Sequence, residues 1–137
     1  MRMTIRPATA GDLPAISALQ AACPEAAQWN CADYLKHSCL VADMDGQVAG
    51  FLVSRQSTPG EHEILNLAVH PARRGKGLAR DLLKAAMGAQ QTWFLEVRES
   101  NQAAVACYAS AGFLPSGRRE QYYRDPAEAA IVMRRIS

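Results

Sequence analysis

From Leu65 to Arg80 the chain reads Leu65-Asn66-Leu67-Ala68-Val69-His70-Pro71-Ala72-Arg73-Arg74-Gly75-Lys76-Gly77-Leu78-Ala79-Arg80. That order is an apolar strand, a tight basic turn with two glycines, and a helix, a combination suited to a phosphate-bearing ligand. Glycine lacks a Cβ, so its backbone can approach a ligand and take unusual φ values. The first turn of a helix offers unpaired N–H groups and a partial positive charge, which together hold phosphate. Arg73, Arg74, Lys76 and Arg80 add to that potential. No Lys-Ser/Thr follows the second glycine, so this is not a Walker loop. Ala79 lies only two residues past Gly77 and no acidic residue is suitably placed at a later strand end, so the dinucleotide fingerprint is excluded as well. On this stretch alone, a plain helix N-terminus with solvated basic side chains accounts for the residues equally well.

Glu96 interrupts the apolar run Phe94-Leu95-Glu96-Val97. A carboxylate there is costly unless it is paired or faces water, which marks Glu96 as a candidate functional group. The alternative is an ion pair with Arg98 or another basic residue. Tyr108, twelve residues on, reads from its spacing as a core aromatic with a satisfied hydroxyl. Glu61 and Glu63 read as charged residues at a strand's entry, and His62 and His70 as solvated. Cys23, Cys31, Cys39 and Cys107 contain no C-x-x-C pair and make no zinc-type spacing with His37, His62 and His70. The expectation is therefore small buried or half-buried thiols and no metal site.

The elements that must carry these residues follow from periodicity and punctuation. Met3–Pro7 alternates as a first strand. Thr9 and Asp12 have the spacing of a capping box, and Leu13, Ile16, Leu19 and Gln20 continue a helix to Ala22, before Pro24. Asn30 caps a short helix over Cys31–His37. Cys39–Asp43 and Val48–Val53 flank Asp45-Gly46 as a hairpin, and Ser57-Thr58-Pro59-Gly60 is a further turn. Glu61–Val69 is a central strand ended by His70-Pro71. A helix is predicted from Gly75 to Ala89, with Leu78, Leu82, Leu83 and Ala86 as its apolar stripe. Trp93–Val97 is a strand and Asn101–Ala111 a helix, with Val105, Tyr108 and Ala109 on one side and Gly112 just past its end. Phe113–Arg118 and Ala130–Met133 are the last strands. The unit from Leu65 to Val97 should be a right-handed parallel crossover.

Composition bounds the answer. The chain has 137 residues, 49% hydrophobic and 20% charged, with fifteen Lys+Arg against thirteen Asp+Glu for a net +2. That is ordinary globular composition, long enough for one self-sufficient core. The charge balance is too weak to imply a nucleic-acid binder, and no apolar run reaches the ~18 residues of a membrane span. Without an apolar stretch after Met1, a secretory signal is not expected, so the reading is a cytoplasmic single domain over residues 1–137.

Three stretches together resemble a known family. Arg74-x-x-Gly77-x-Ala79 after a strand resembles the Q/R-x-x-G-x-G/A pyrophosphate loop of the GNAT (Gcn5-related) N-acetyltransferases. Leu95-Glu96-Val97-Arg98-Glu99-Ser100-Asn101-Gln102-Ala103-Ala104, leading to Tyr108-Ala109-Ser110-Ala111-Gly112-Phe113, resembles the signature of the RimI branch, the bacterial ribosomal-protein alanine N-acetyltransferases. The ending Arg119-Glu120-Gln121-Tyr122-Tyr123 with Ala130-Ile131-Val132-Met133, and Trp29 with Tyr34, are similar to that branch too. The resemblance implies an α+β GNAT fold: a mixed, mostly antiparallel central sheet flanked by helices, its strands four and five splayed around acetyl-CoA. By the same resemblance, main-chain groups of Leu67, Ala68 and Val69 hold the pantetheine arm and acetyl carbonyl. Arg74, Gly75, Lys76, Gly77, Leu78, Ala79 and Arg80 hold the pyrophosphate. Asn101 contacts the coenzyme, although a helix cap explains it as well.

The implied reaction moves an acetyl group from a thioester to an amine, with Glu96 as general base, through water, and Tyr108 as general acid. The implied acceptor is a protein or peptide N-terminus, the terminal alanine of small-subunit ribosomal protein eighteen, seated against Trp29, Tyr34 and Tyr123. Tyr122 and Arg124 belong to the same candidate groove. No metal, nucleic acid or membrane is expected. Cys107 invites an acetyl-cysteine intermediate, but direct attack needs no such nucleophile. Two departures from the branch pattern, Ala129 for an acidic residue and Asn30 for a serine, fall near that groove. Alternatives are a relative acetylating a lysine ε-amine or a small amine, and a non-catalytic acyl-CoA-binding regulatory module.

Overall fold

The computed structural model describes residues 2–88, 91–124 and 127–136. Its elements are β1 (Met3–Pro7), α1 (Leu13–Ala21), β2 (Ser38–Met44), β3 (Gln47–Thr58), β4 (Glu61–Val69), α2 (Leu78–Ala86), β5 (Thr92–Arg98), α3 (Gln102–Ser110), β6 (Leu114–Tyr123) and β7 (Glu128–Ile136). Tight 3-10 turns cover Ala10–Asp12, Cys31–Lys36 and Pro71–Arg73. The strands form one mixed sheet in the order β1-β2-β3-β4-β5-β7-β6. The β1–β2, β2–β3, β5–β7 and β6–β7 pairs are antiparallel, and β4–β5 is parallel. This is the mostly antiparallel GNAT-type arrangement the resemblance implies. Packing divides the chain into two compact units, the first Met1–Arg55 with Leu65–Met87, the second Gln56–Ile64 with Gly88–Ser137.

In the first unit, Asp45 (φ 53) and Gly46 (φ 87) make the two-residue turn their sequence predicts, because that turn needs left-handed backbone at both positions. The core gathers Ile16, Leu19 and Cys23 from α1 and just after it, Val41 from β2, and Phe51 and Val53 from β3. On the other face, α2 approaches where Gly50 leaves room: a Cβ there would meet Leu82 at 3.3 Å and the Ala68 carbonyl at 3.1 Å. Asp12 accepts from the Thr9 N–H (2.8 Å), but this box opens a 3-10 turn and α1 starts after it. Asn30 caps a 3-10 turn where an α-helix was expected, its side chain accepting from the Ala32 N–H. α2 begins at Leu78 instead of Gly75, because both loop glycines are left-handed, with Gly77 (φ 78) as the cap. Ala89, the expected end of that helix, lies outside the described residues.

In the second unit, the parallel ladder runs from Glu61↔Thr92 to Ile64↔Leu95. β5 continues along β7, with Glu96↔Val132, Val97↔Ile131 and Arg98↔Ala130. Trp93, Leu95 and Val97 alternate into the core, which puts Phe94, Glu96 and Arg98 on the opposite face. On α3 the buried side is Ala104, Val105 and Tyr108, and Ala109 is exposed, contrary to the expected stripe. β6 and β7 run longer than predicted because their outer residues are polar and exposed, and main-chain pairing alone extends them. His62 is also corrected: its ring stacks on Trp93 at 4.5 Å instead of standing in solvent.

Candidate functional site

In the first unit, the end of β4 and the loop after it are held by their own side chains. His70 donates its N–H to Ala49, and its Nδ1 accepts from the Ala72 N–H. Arg74 turns back: its Nε donates to the Val69 carbonyl (3.2 Å), its Nη2 donates to Cys23 Sγ, and it is ion-paired to Glu25. The Arg74 guanidinium and the Val69 carbonyl are thus already committed, and the Leu67 N–H donates to the Asn66 side chain (3.0 Å). Beyond Arg74 the loop is bare. Among the described residues, a Cβ on Gly75 or Gly77 would meet nothing within 4 Å, and no side chain caps the first turn of α2. Lys76 and Arg80 are exposed beside it. Two left-handed glycines leading into uncapped N–H groups form a concave cradle of partial positive charge, a fit for a diphosphate.

The same unit places the aromatics expected in a peptide groove, and it separates them. Trp29 is 54% exposed, whereas Tyr34 is 3% exposed and packs on Phe51 in the core. That placement corrects the expectation for Tyr34. Its hydroxyl donates to Gln20 Oε1 and accepts from Asn66 Nδ2. Asn66 also donates to the Ala27 carbonyl (2.8 Å), and Gln20 Nε2 donates to the Trp29 carbonyl (2.8 Å). Two buried carboxamides therefore anchor the segment that carries Trp29 to β4. Sequence reading missed both. The signal for Asn66 was its phase: it shares the buried face of β4 with Ile64 and Ala68, where an amide must find partners.

In the second unit, Glu96 lies on β5 and Tyr108 on α3. The Glu96 side chain is 14% exposed; Oε1 accepts from Arg119 Nη1 (2.8 Å), and Oε2 is buried with no hydrogen-bond partner among the described residues. The ion pair weighed as the alternative for Glu96 exists, and the basic residue is Arg119. Arg98 lies 4.4 Å over the Tyr123 ring and reaches Glu128. Hydrogen bonds from Ser100, then Arg98, hold the Glu128 carboxyl below the ordinary carboxylate range. Tyr108 is buried on α3, edge-on to Phe113. Burial, then the neighbouring Cys107 and Tyr123, push its phenol well above the ordinary tyrosine range. Burial, then Tyr122 and Glu96, push Tyr123 up to about 12. Asn101 accepts from the Ala104 N–H as a helix cap (3.2 Å), and Ala129 is buried.

Among the described residues, no group of three or more His, Cys, Asp or Glu side chains gathers to hold a metal ion, and no helix is long and apolar enough to cross a membrane. The sequence pattern of the acetyltransferase (GNAT) family matches residues 12–113. The N-alpha-acetyltransferase RimI of Mycobacterium tuberculosis is 38% identical over 97 residues, 67% of this chain and 61% of that protein. The ribosomal protein bS18-alanine N-acetyltransferase of Escherichia coli is 38% identical over 96 residues, 65% of this chain and 64% of that protein. The matches therefore span less than two thirds of these relatives' own length. The crystal structure of the Escherichia coli ribosomal-protein alanine N-acetyltransferase superposes with a TM-score of 0.79 at 29% identity, covering 98% of this chain and 93% of that one.

Proposed function

Because the chain belongs to the acetyltransferase (GNAT) family, we propose that residues 1–137 act as one N-acetyltransferase domain carrying an acetyl group from acetyl-CoA to the α-amine of a protein N-terminus. The acceptor proposed is the N-terminal alanine of ribosomal protein bS18, named for the Escherichia coli relative, which would place the protein in the cytoplasm. The observation that carries the reading is Glu96 on β5, a carboxylate 14% exposed whose Oε2 is buried without a hydrogen-bond partner among the described residues.

Acetyl-CoA supplies an activated acyl carbonyl on a thioester. Gly75 to Arg80 is the proposed seat of its pyrophosphate, with Arg74 contributing main chain only, since its guanidinium is engaged by Glu25. The main chain of Leu67, Ala68 and Val69 is the proposed contact for the pantetheine arm and the acetyl oxygen, whose developing charge an N–H donor stabilises. Asn101 keeps its cap and is proposed as a further contact. An α-ammonium has a pKa of ~8 and is mostly protonated at neutral pH, so a carboxylate base suffices to expose its lone pair. Glu96 takes that proton, through water. Tyr108, kept protonated by burial, hydrogen-bonds the departing sulfur and supplies its proton. Tyr123 and the exposed Trp29 are the proposed peptide contacts.

The test is incubation with acetyl-CoA and an Ala-initiated bS18 peptide, beside an N-blocked peptide bearing lysine, read by mass spectrometry. Acetylation of the α-amine alone is expected. Acetylation of lysine alone would replace the acceptor class, and neither product with coenzyme bound would make the protein a binding module.

A further inference from the structure

Glu96 and Arg119 lie on strands that are not neighbours, since β7 separates β5 from β6. Arg98, Ala130 and Arg119 form one row across the three strands, and Glu96 sits two residues along β5 on the same face. The row holds only the buried methyl of Ala130 between the two arginines, and Arg119 crosses it to reach Glu96 Oε1. Its guanidinium also lies 4.4 Å from the centroid of the Tyr122 ring. A bulge delivers that ring. Between the pairs Arg119↔Ala130 and Tyr123↔Glu128, Glu120, Gln121 and Tyr122 face Ala129 alone, with Gln121 left-handed at φ 51. Bulges re-aim side chains, and strain of this kind persists where the surroundings demand it.

The neighbouring Arg118 makes a plain contrast. It spends its guanidinium on Glu99 and Glu120, at the surface, whereas Arg119 turns to a carboxylate that is 14% exposed. That carboxylate has the Tyr122 phenol near it, yet its second oxygen is buried with no hydrogen-bond partner among the described residues, an arrangement that folded proteins rarely retain without a use for it.

We propose that Arg119 is a positioning residue for acetyl transfer: clamped on Tyr122, it fixes one oxygen of Glu96 and leaves Oε2 to receive the proton of the incoming ammonium. The inference rests on the reading of Glu96 as base. One N–H bond of the ammonium breaks, directly or through a relay water, and an O–H bond forms at Oε2; Arg119 gains and loses no proton. A carboxylate tethered at one oxygen presents the other in a narrow range of directions, which is what proton transfer in a short-lived complex requires.

The test is a double-mutant cycle on kcat at saturating peptide and acetyl-CoA, with Arg119→Ala, Arg119→Lys, Glu96→Gln and Glu96→Gln/Arg119→Ala. Arg119→Ala should lower kcat about 10- to 100-fold, leave the KM for acetyl-CoA within about twofold, and leave the thermal midpoint near that of the wild type. Arg119→Lys should recover part of the loss. In the Glu96→Gln background, removing Arg119 should cost nothing further. Wild-type kcat in Arg119→Ala, or losses that multiply in the double variant, would overturn the positioning role. Wild-type kcat in Glu96→Gln alone would instead remove the base reading, so the two failures are distinguishable.

Discussion

A tyrosine phenol is protonated at neutral pH, and at Tyr108 burial reinforces that state. Its ring is buried on α3, and burial, then Cys107 and Tyr123, push the phenol further above the ordinary tyrosine range, so the charged form is disfavoured. Tyr108→Phe keeps the ring contact with Phe113 and deletes only the donor. The expected result is kcat lower by about 100-fold with the acetyl-CoA dissociation constant unchanged, measured by release of free thiol and by calorimetry. Glu96 was legible because an acid in an apolar strand demands an explanation. Tyr34 was misread because a tight 3-10 turn has no period by which to tell an inward ring from an outward one, and its hydroxyl found partners in the core. Arg119 was legible only as part of a motif, since the contact that matters spans 23 positions and a whole strand.

Among the elements, the glycine loop has the most to lose. Gly77 caps α2 in left-handed backbone, a state costing an ordinary L-residue roughly 1–2 kcal/mol. Gly77→Val therefore strains the cap and fills the open space over the first turn. Acetyl-CoA should bind at least about tenfold more weakly, as read by calorimetry, while the far-UV spectrum stays that of the wild type. Binding of unchanged strength would remove the loop from the coenzyme site. The sequence foretold β1 and β4 to the residue, because alternation and a closing His-Pro define them. The long β6 could not be read, since its outer side chains face solvent and carry no hydrophobic period.

For the molecule as a whole, the ion cluster around Arg6 makes a main contribution to acid stability. Arg6 on β1 donates to Asp12 at 2.8 Å and reaches Asp43 on β2 at 3.3 Å. Its hydrogen bonds, with help from Thr9, hold the Asp12 carboxyl well below the usual carboxylate range. A folded pKa below the unfolded one means the stabilisation is complete above about pH 4 and is lost as pH falls through the folded value. Asp12→Asn should cost about 2 kcal/mol at pH 7, and the gap from the wild type should close as pH drops below about 4. Urea unfolding at pH 7 and pH 3 checks this, and an equal gap at both would refute it. Class and strand succession were legible at this scale because hydrophobic runs and turns report them. The division into two units was not, because it runs through the middle of two strands, β3 and β4, instead of through a linker.

β7 follows β6 along the chain yet is wedged between it and β5. Among the described residues Leu114–Tyr123 pairs in the sheet with Glu128–Ile136 alone, so it has no seat there until that strand is present. The Glu96 carboxylate and the Arg119 guanidinium that grips it thus meet only once the β6–β7 hairpin has docked on β5, so their ion pair reports that docking.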